Sequence, residues 1–281
     1  MLFLGMLHQS FLWAQTPLLE EVIMIEKPGI FTLELEVTLF KPPGVGPFPL
    51  VVINHGKAVG DPRFQPRATY PMATRYFLAR GYVVALPMRQ GFSKSTGSYI
   101  GGGCNVESNG VVQAEDVKVT IDYLLTQAAI DPAKILVMGQ SHGGLTTMAF
   151  GASDYPGVKG LVNFAGGLRQ EACPGWEGTL IRAFGSYGRH TKIPSLWFYG
   201  DNDSYWKKDI WQAMYAKYSE GLVAHGSAAR MVAFGTFVTD AHRMFGHEQG
   251  PSIWEPEVLQ FLVQLGLPST VVNPDFLRAP A

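Results

Sequence analysis

The chain has 281 residues, 47% of them apolar and only 16% charged, and its 22 basic and 23 acidic side chains leave a formal charge of −1. That much apolar sequence can bury a large core, which excludes a disordered chain. The basic residues are scattered and do not interleave with aromatic ones, so no nucleic-acid surface is expected, and no internal run has the apolar length of a bilayer span.

Residues 1–14, MLFLGMLHQSFLWA, are mostly apolar and run into the polar Gln15-Thr16-Pro17. They read as an export signal or an N-terminal extension. Against a signal stand the lack of Lys or Arg ahead of the run, the interruption at His8, Gln9 and Ser10, and Leu12 where a small residue is expected. Cleavage would start the mature chain near Gln15 and make it periplasmic or secreted rather than cytoplasmic. Residues 15–281 are expected to form a single domain.

Residues 20–40 alternate in two runs around Pro28-Gly29, the pattern of an antiparallel hairpin. LVVINHG, 50–56, is an apolar run ending in polar residues and glycine, as in a buried parallel strand. A helix is expected over 69–80, with Pro71 in its first turn, then a strand at 82–87. Residues 111–128 carry Val117, Ile121, Leu124 and Leu125 at helical spacing, and a strand at 134–139 leads into a helix after Ser141. Further strands are expected at 158–164, 193–200 and 228–235. A loop and short helix region at 166–190, a helix at 204–220 and a last helix near 254–265 fall between or after them. Strand and helix alternating in this way imply an α/β fold: a mostly parallel central sheet with helices on both faces and the antiparallel hairpin at its N-terminal side. Only about 30 residues separate the strand ending near Phe164 from the one starting near Ile193, which leaves little room for a large lid, and none is expected.

In parallel sheets, ligands bind beyond the carboxyl ends of the strands, so the residues that matter should follow strands. Ser141 does, bracketed by Gly139 and Gly143 in the form G-x-S-x-G. A serine held on a tight strand-to-helix turn is exposed to solvent and sits at the positive end of the helix, as a nucleophile requires. Such a serine needs a base, and the base an orienting acid. Asp201 and Asp203 follow the strand LWFYG, and His242 follows the last strand, in the chain order Ser, Asp, His.

On these residues the chain resembles the α/β-hydrolase superfamily, and within it the dienelactone-hydrolase-like and prolyl-oligopeptidase-like branch, from about residue 20 onward. The branch places its acid in a G-x-x-D stretch, which Gly200 to Asp203 fits. This favours Asp203 over Asp201, which is read as a helix cap or loop brace. The branch places its base in a Gly-His stretch, whereas Ala241 precedes His242 here and Gly246-His247 offers a second match; His242 is preferred because it is nearer the strand end. True dienelactone hydrolases use a cysteine nucleophile, so that activity is not implied. A tetrahedral intermediate needs donors for its negative oxygen, expected here from the backbone N–H groups of His142 and, in the loop after LVVINHG, Lys57. His55 is read as a brace for that loop. The stretch around Arg89, Gly91, Ser93 and Gly97 resembles R-G-x-G-x-S-x-G, a scaffold loop whose arginine binds backbone carbonyls.

Tyr205, Trp206, Trp176 and Trp197 are candidate pocket walls, and together they suit an apolar or aromatic acyl group. Cys104 and Cys173 lie in polar, Gly-rich loops and are expected to pair if the protein is exported. Neither they nor His242 and His247 make a convincing metal site, and no metal or organic cofactor is expected. The expected activity is that of a serine carboxylic-ester hydrolase acting on a small-molecule ester as a monomer or homodimer. An oligopeptidase-type peptidase, a lactonase or thioesterase, and a non-catalytic binding protein of the same fold are the alternatives.

Overall fold

The computed structural model describes residues 16–127 and 129–278, so the candidate signal at 1–14 lies outside the described residues. Strands β1 (Glu20–Lys27) and β2 (Leu33–Phe40) form the N-terminal hairpin, followed by β3 (Phe48–Asn54), α1 (Pro71–Ala79), β4 (Val83–Pro87), α2 (Val106–Leu125), β5 (Ile130–Gln140) and α3 (His142–Gly151). Then come β6 (Val158–Phe164), α4 (Trp176–His190), β7 (Ser195–Tyr199), α5 (Lys208–Val223), β8 (Ala229–Ala233) and α6 (Pro251–Gln264). One eight-stranded sheet results, in the order β1-β2-β4-β3-β5-β6-β7-β8. β1 and β2 pair antiparallel, β2 runs antiparallel to β4, and every pairing from β4 to β8 is parallel.

The period of two along the strands divides the core into two halves. Leu50, Val52, Ile135, Val137, Leu161 and Trp197 pack toward α2, α3, α4 and α5. Their neighbours Val51, Ile53, Leu136, Met138, Val162 and Phe198 pack toward α1 and α6. A sheet covered on both faces has no solvent side, which is why these strands read as unbroken apolar runs.

Some expected boundaries differ. α2 begins at Val106 rather than 111, because the Asn105 side chain accepts the Ser108 N–H and caps it there. Gly110 hides this first turn from a propensity reading; it is retained where a Cβ would meet the Tyr187 hydroxyl of α4. The region expected as loop and short helix contains the 15-residue α4. Among the described residues, no helix is long and apolar enough to cross a membrane.

Candidate active site

The candidate site residues follow β3, β5, β7 and β8 at the carboxyl edge of the parallel strands. At the end of β5 the chain turns directly into α3, and Ser141 is held at φ 57°, ψ −122°. Non-glycine residues avoid positive φ, so the turn stores strain that the surrounding packing must hold. Two close approaches impose it. A Cβ on Gly143 would run into the Asn54 carbonyl of β3, and one on Gly139 would run into the carbonyl of Gly143 itself. Both glycines are therefore required by the turn, and Ser141 is left projecting above it.

His242 lies on a short 3-10 helix, Ala241–Gly246, whose entry is fixed by the Asp240 carboxylate accepting the His242 N–H at 2.9 Å. Its Nε2 is 2.9 Å from Ser141 Oγ. On the other side of the ring, Nδ1 lies 3.2 and 3.1 Å from the two carboxylate oxygens of Asp203. A carboxylate can only accept, so Nδ1 carries the proton and Nε2 is free to accept from the serine hydroxyl. The Asp203 side chain is fully buried and also accepts the N–H groups of Tyr205 and Trp206, at 2.8 and 2.9 Å. Ser141, His242 and Asp203 thus form one hydrogen-bonded chain. Asp201 turns away and pairs with Lys208 at 2.9 Å. His247 packs edge-on against Phe237, apart from His242, so the two histidines do not converge.

The loop after β3 runs beside the serine, where a Cβ on Gly56 would come within 3.2 Å of Ser141 Cβ. His142 opens α3, so its amide N–H has no intrahelical acceptor. Lys57, His142 and Ser141 line the same cleft. The Lys57 ammonium curls onto its own loop, donating to the carbonyls of Ala58 and Gly60 at 3.2 and 3.4 Å. His55 braces that loop: Arg89 N–H donates to its Nε2 at 3.3 Å, and its Nδ1 lies 2.7 Å from the Gly56 carbonyl. Burial, then the charge of Arg89, push the pKa of His55 well below its ordinary value; the same two causes depress that of His142.

Two clefts open on Ser141. The first, about 390 Å³, is walled by Tyr99, Gly167, Leu168 and Trp206, with Lys57 and His142 on its floor. The second, about 610 Å³, contains His242, with Gln65, Tyr70 and Arg243 around it. Tyr205 lines both, its ring tilted over His242 at a centroid distance of 4.3 Å. Trp206 is buried with its indole N–H donating to the Ala165 carbonyl at 2.7 Å. Trp176 stands against Trp206 at 6.2 Å and outside both clefts.

Trp197 is not a pocket wall. It is fully buried among Phe184, Tyr215 and Tyr218, because its strand position faces α4 and α5.

The first cleft's outer wall went unread in the sequence. Gln170 reaches across to the carbonyls of Gly101 and Gly103, at 3.3 and 2.5 Å. Next to it the expected disulfide joins Cys104 to Cys173. Cys173, placed by its sequence in a polar, glycine-rich loop, is buried.

The sequence profile of the X-Pro dipeptidyl-peptidase (S15 family) matches residues 32–188, a stretch that contains Ser141 and ends before Asp203 and His242. Among solved structures, the chain is similar to the Pyrococcus furiosus esterase Pf2001, with a TM-score of 0.60 and 17% identity over 87% of this chain and 92% of that one. It is likewise similar to Est1E from Butyrivibrio proteoclasticus, solved with ferulic acid, with a TM-score of 0.60 and 16% identity over 86% and 98%. Pyrococcus horikoshii acylaminoacyl peptidase matches at a TM-score of 0.64 and 17% identity over 92% of this chain and only 44% of its own length. At these identities the likeness to solved structures establishes the α/β-hydrolase fold.

Proposed function

The chain belongs to the X-Pro dipeptidyl-peptidase (S15) family of serine hydrolases, and on that premise we propose that it cleaves carboxylic esters through an acyl-enzyme on Ser141. The observation that carries this reading is the hydrogen-bonded series from Asp203 through His242 to Ser141, opening into two clefts. His242 Nε2 takes the hydroxyl proton as Ser141 Oγ attacks the ester carbonyl. The negative oxygen that develops meets the amide N–H groups of His142 and Lys57. Collapse of the tetrahedral adduct breaks the bond to the alcohol oxygen, which leaves with the proton from His242. Water, deprotonated by the same ring, then attacks the acyl-serine and releases the acid.

The leaving oxygen must lie within hydrogen-bond reach of His242, which lines only the second cleft; His142 lines only the first. The alcohol therefore occupies the second cleft and the acyl group the first, where Tyr99, Tyr205, Trp206 and Leu168 suit an apolar or aromatic chain. Esters are favoured over peptides because the carboxylate that lines the acyl cleft, Glu171, is already paired and so is not open to a peptide's amino terminus. Glu171 is paired with Arg169 at 2.5 Å, and Asp240 accepts from Ser204 at 3.0 and 2.9 Å.

A panel of acyl esters, lactones and aminoacyl amides, run on the protein and on Ser141→Ala, tests this. Ester turnover that vanishes in the variant is expected. Turnover of amides with none of esters would overturn it.

A further inference from the structure

Arg89 lies behind the elbow in the loop after β4, fully buried. Among the described residues it makes no ion pair: its Nε donates to Gln113 Oε1 at 3.1 Å, its Nη2 donates to the His55 carbonyl at 2.7 Å, and its Nη1 is buried without an acceptor. Nη2 also lies 3.1 Å from His142 Nδ1. A guanidinium can only donate, so Nδ1 accepts, and the proton on His142 Nε2 goes to Asn109 Oδ1 at 2.7 Å. The nearby carboxylate of Asp116 is engaged instead by Lys27 and by the Gln90 N–H, at 2.5 and 2.7 Å. Burying a cation without a direct ion pair costs several kcal/mol by general estimates. A fold that only needed to join two loops could have used an amide.

What the guanidinium joins is specific. The His55 carbonyl belongs to the loop that carries Lys57 N–H, and the His142 ring belongs to the residue that carries the other amide facing the first cleft. We infer that Arg89 is a positioning residue for the oxyanion pocket: one buried cation fixes both amide-bearing segments and sets a positive field behind the oxygen that turns negative. Burial lowers its pKa to about 10, which leaves it charged at neutral pH. The field matters only when that oxygen carries charge, so it acts on the transition state more than on the bound ester. This rests on the serine-hydrolase reading of Ser141.

The test compares Arg89→Gln and Arg89→Lys with the unmodified protein and with Ser141→Ala. Each variant is first checked for folding by near-UV circular dichroism. Loss of one oxyanion donor costs about 10²- to 10³-fold in kcat, and Arg89→Gln is expected to approach that with KM changed less than about threefold. Inhibition by an alkyl boronic acid, whose adduct on serine is tetrahedral and anionic, should weaken in parallel with kcat/KM, while inhibition by the neutral, trigonal amide analogue of the ester should not. If Arg89→Gln does not fold, Arg89→Lys carries the test, since lysine keeps the charge but cannot span His55 O and His142 Nδ1; a partial loss with the same pattern is expected. A folded variant with kcat within twofold, or with KM and affinity for the neutral amide worsening as much as kcat falls, overturns the inference. Ester turnover that survives in Ser141→Ala overturns the underlying reading instead, so the two failures are distinguishable.

Discussion

The floor of the site and the outer wall of its first cleft are held by different forces. The floor is buried: Asn54, His55, Arg89 and His142 are at most 1% exposed, tied by hydrogen bonds that cross from strand to loop to helix. The wall is a rim of partly exposed loops, 99–104 and 167–173, fastened by two Gln170 hydrogen bonds, the Cys104–Cys173 bridge and Asn109, which donates to the Ile100 and Gly101 carbonyls. A floor in which every neighbour is packed has one arrangement, which suits atoms that must stay within tenths of an ångström of a reacting group. The rim meets the floor at Asn109, so only its outer edge, around Gln170 and the bridge, can shift without disturbing them. The contrast implies that chemistry and selectivity can be broken separately, the first at the floor and the second at the rim.

The sharpest way to separate them is at the acid. Asp203→Asn should leave the geometry intact but hold His242 in the wrong tautomer, lowering kcat by about 10⁴-fold. Asp201→Asn, which loses only an exposed pair with Lys208, should stay within about twofold. Steady-state kinetics on one ester distinguishes the two carboxylates. Next in size is the bridge. Replacing Cys104 and Cys173 together by serine releases a 69-residue separation and should lower stability by roughly 2–4 kcal/mol in denaturant titration. KM for aromatic esters should rise more than kcat falls; a kcat collapse with KM unchanged would place the bridge with the floor.

The floor also predicts a pH signature. His55 and His142 have pKa values depressed by burial, so below about pH 6.5 the unfolded chain binds protons that the folded one refuses. Stability should therefore fall as pH drops below 6.5, with a slope of up to about 1.4 kcal/mol per pH unit for each of these rings. His142→Asn should flatten the slope by one proton; an unchanged slope would contradict the assignment. The smallest effect is expected at the rim's edge. Gln170→Ala should raise KM by about threefold and leave kcat, consistent with loss of hydrogen bonds worth about 1 kcal/mol.

The parts legible in the sequence were those set by local rules. The elbow needs glycines at fixed offsets on a strand-to-helix junction, and the strands needed only unbroken apolar runs. Trp197 was misread because an aromatic in a strand covered on both faces has no pocket side to choose, whereas Trp206, in a loop, does. The first turn of α2 was hidden by Gly110, whose reason is contact with a helix some 75 residues later. Arg89 was legible as a binder of backbone carbonyls. That it also holds the His142 ring was not, because Asn109 and Gln113 reach the elbow from α2, and no spacing connects them. The rim was illegible for the same reason: Gln170 and Gly101 meet only after β6 and α2 are in place.

The measurement closest to the central claim is stoichiometric reaction with a fluorophosphonate, followed by peptide mass mapping. The account predicts a single adduct on Ser141, formed far more slowly in His242→Ala and absent in Ser141→Ala. Folded protein that leaves Ser141 unmodified, or that takes the label at another residue, would contradict it.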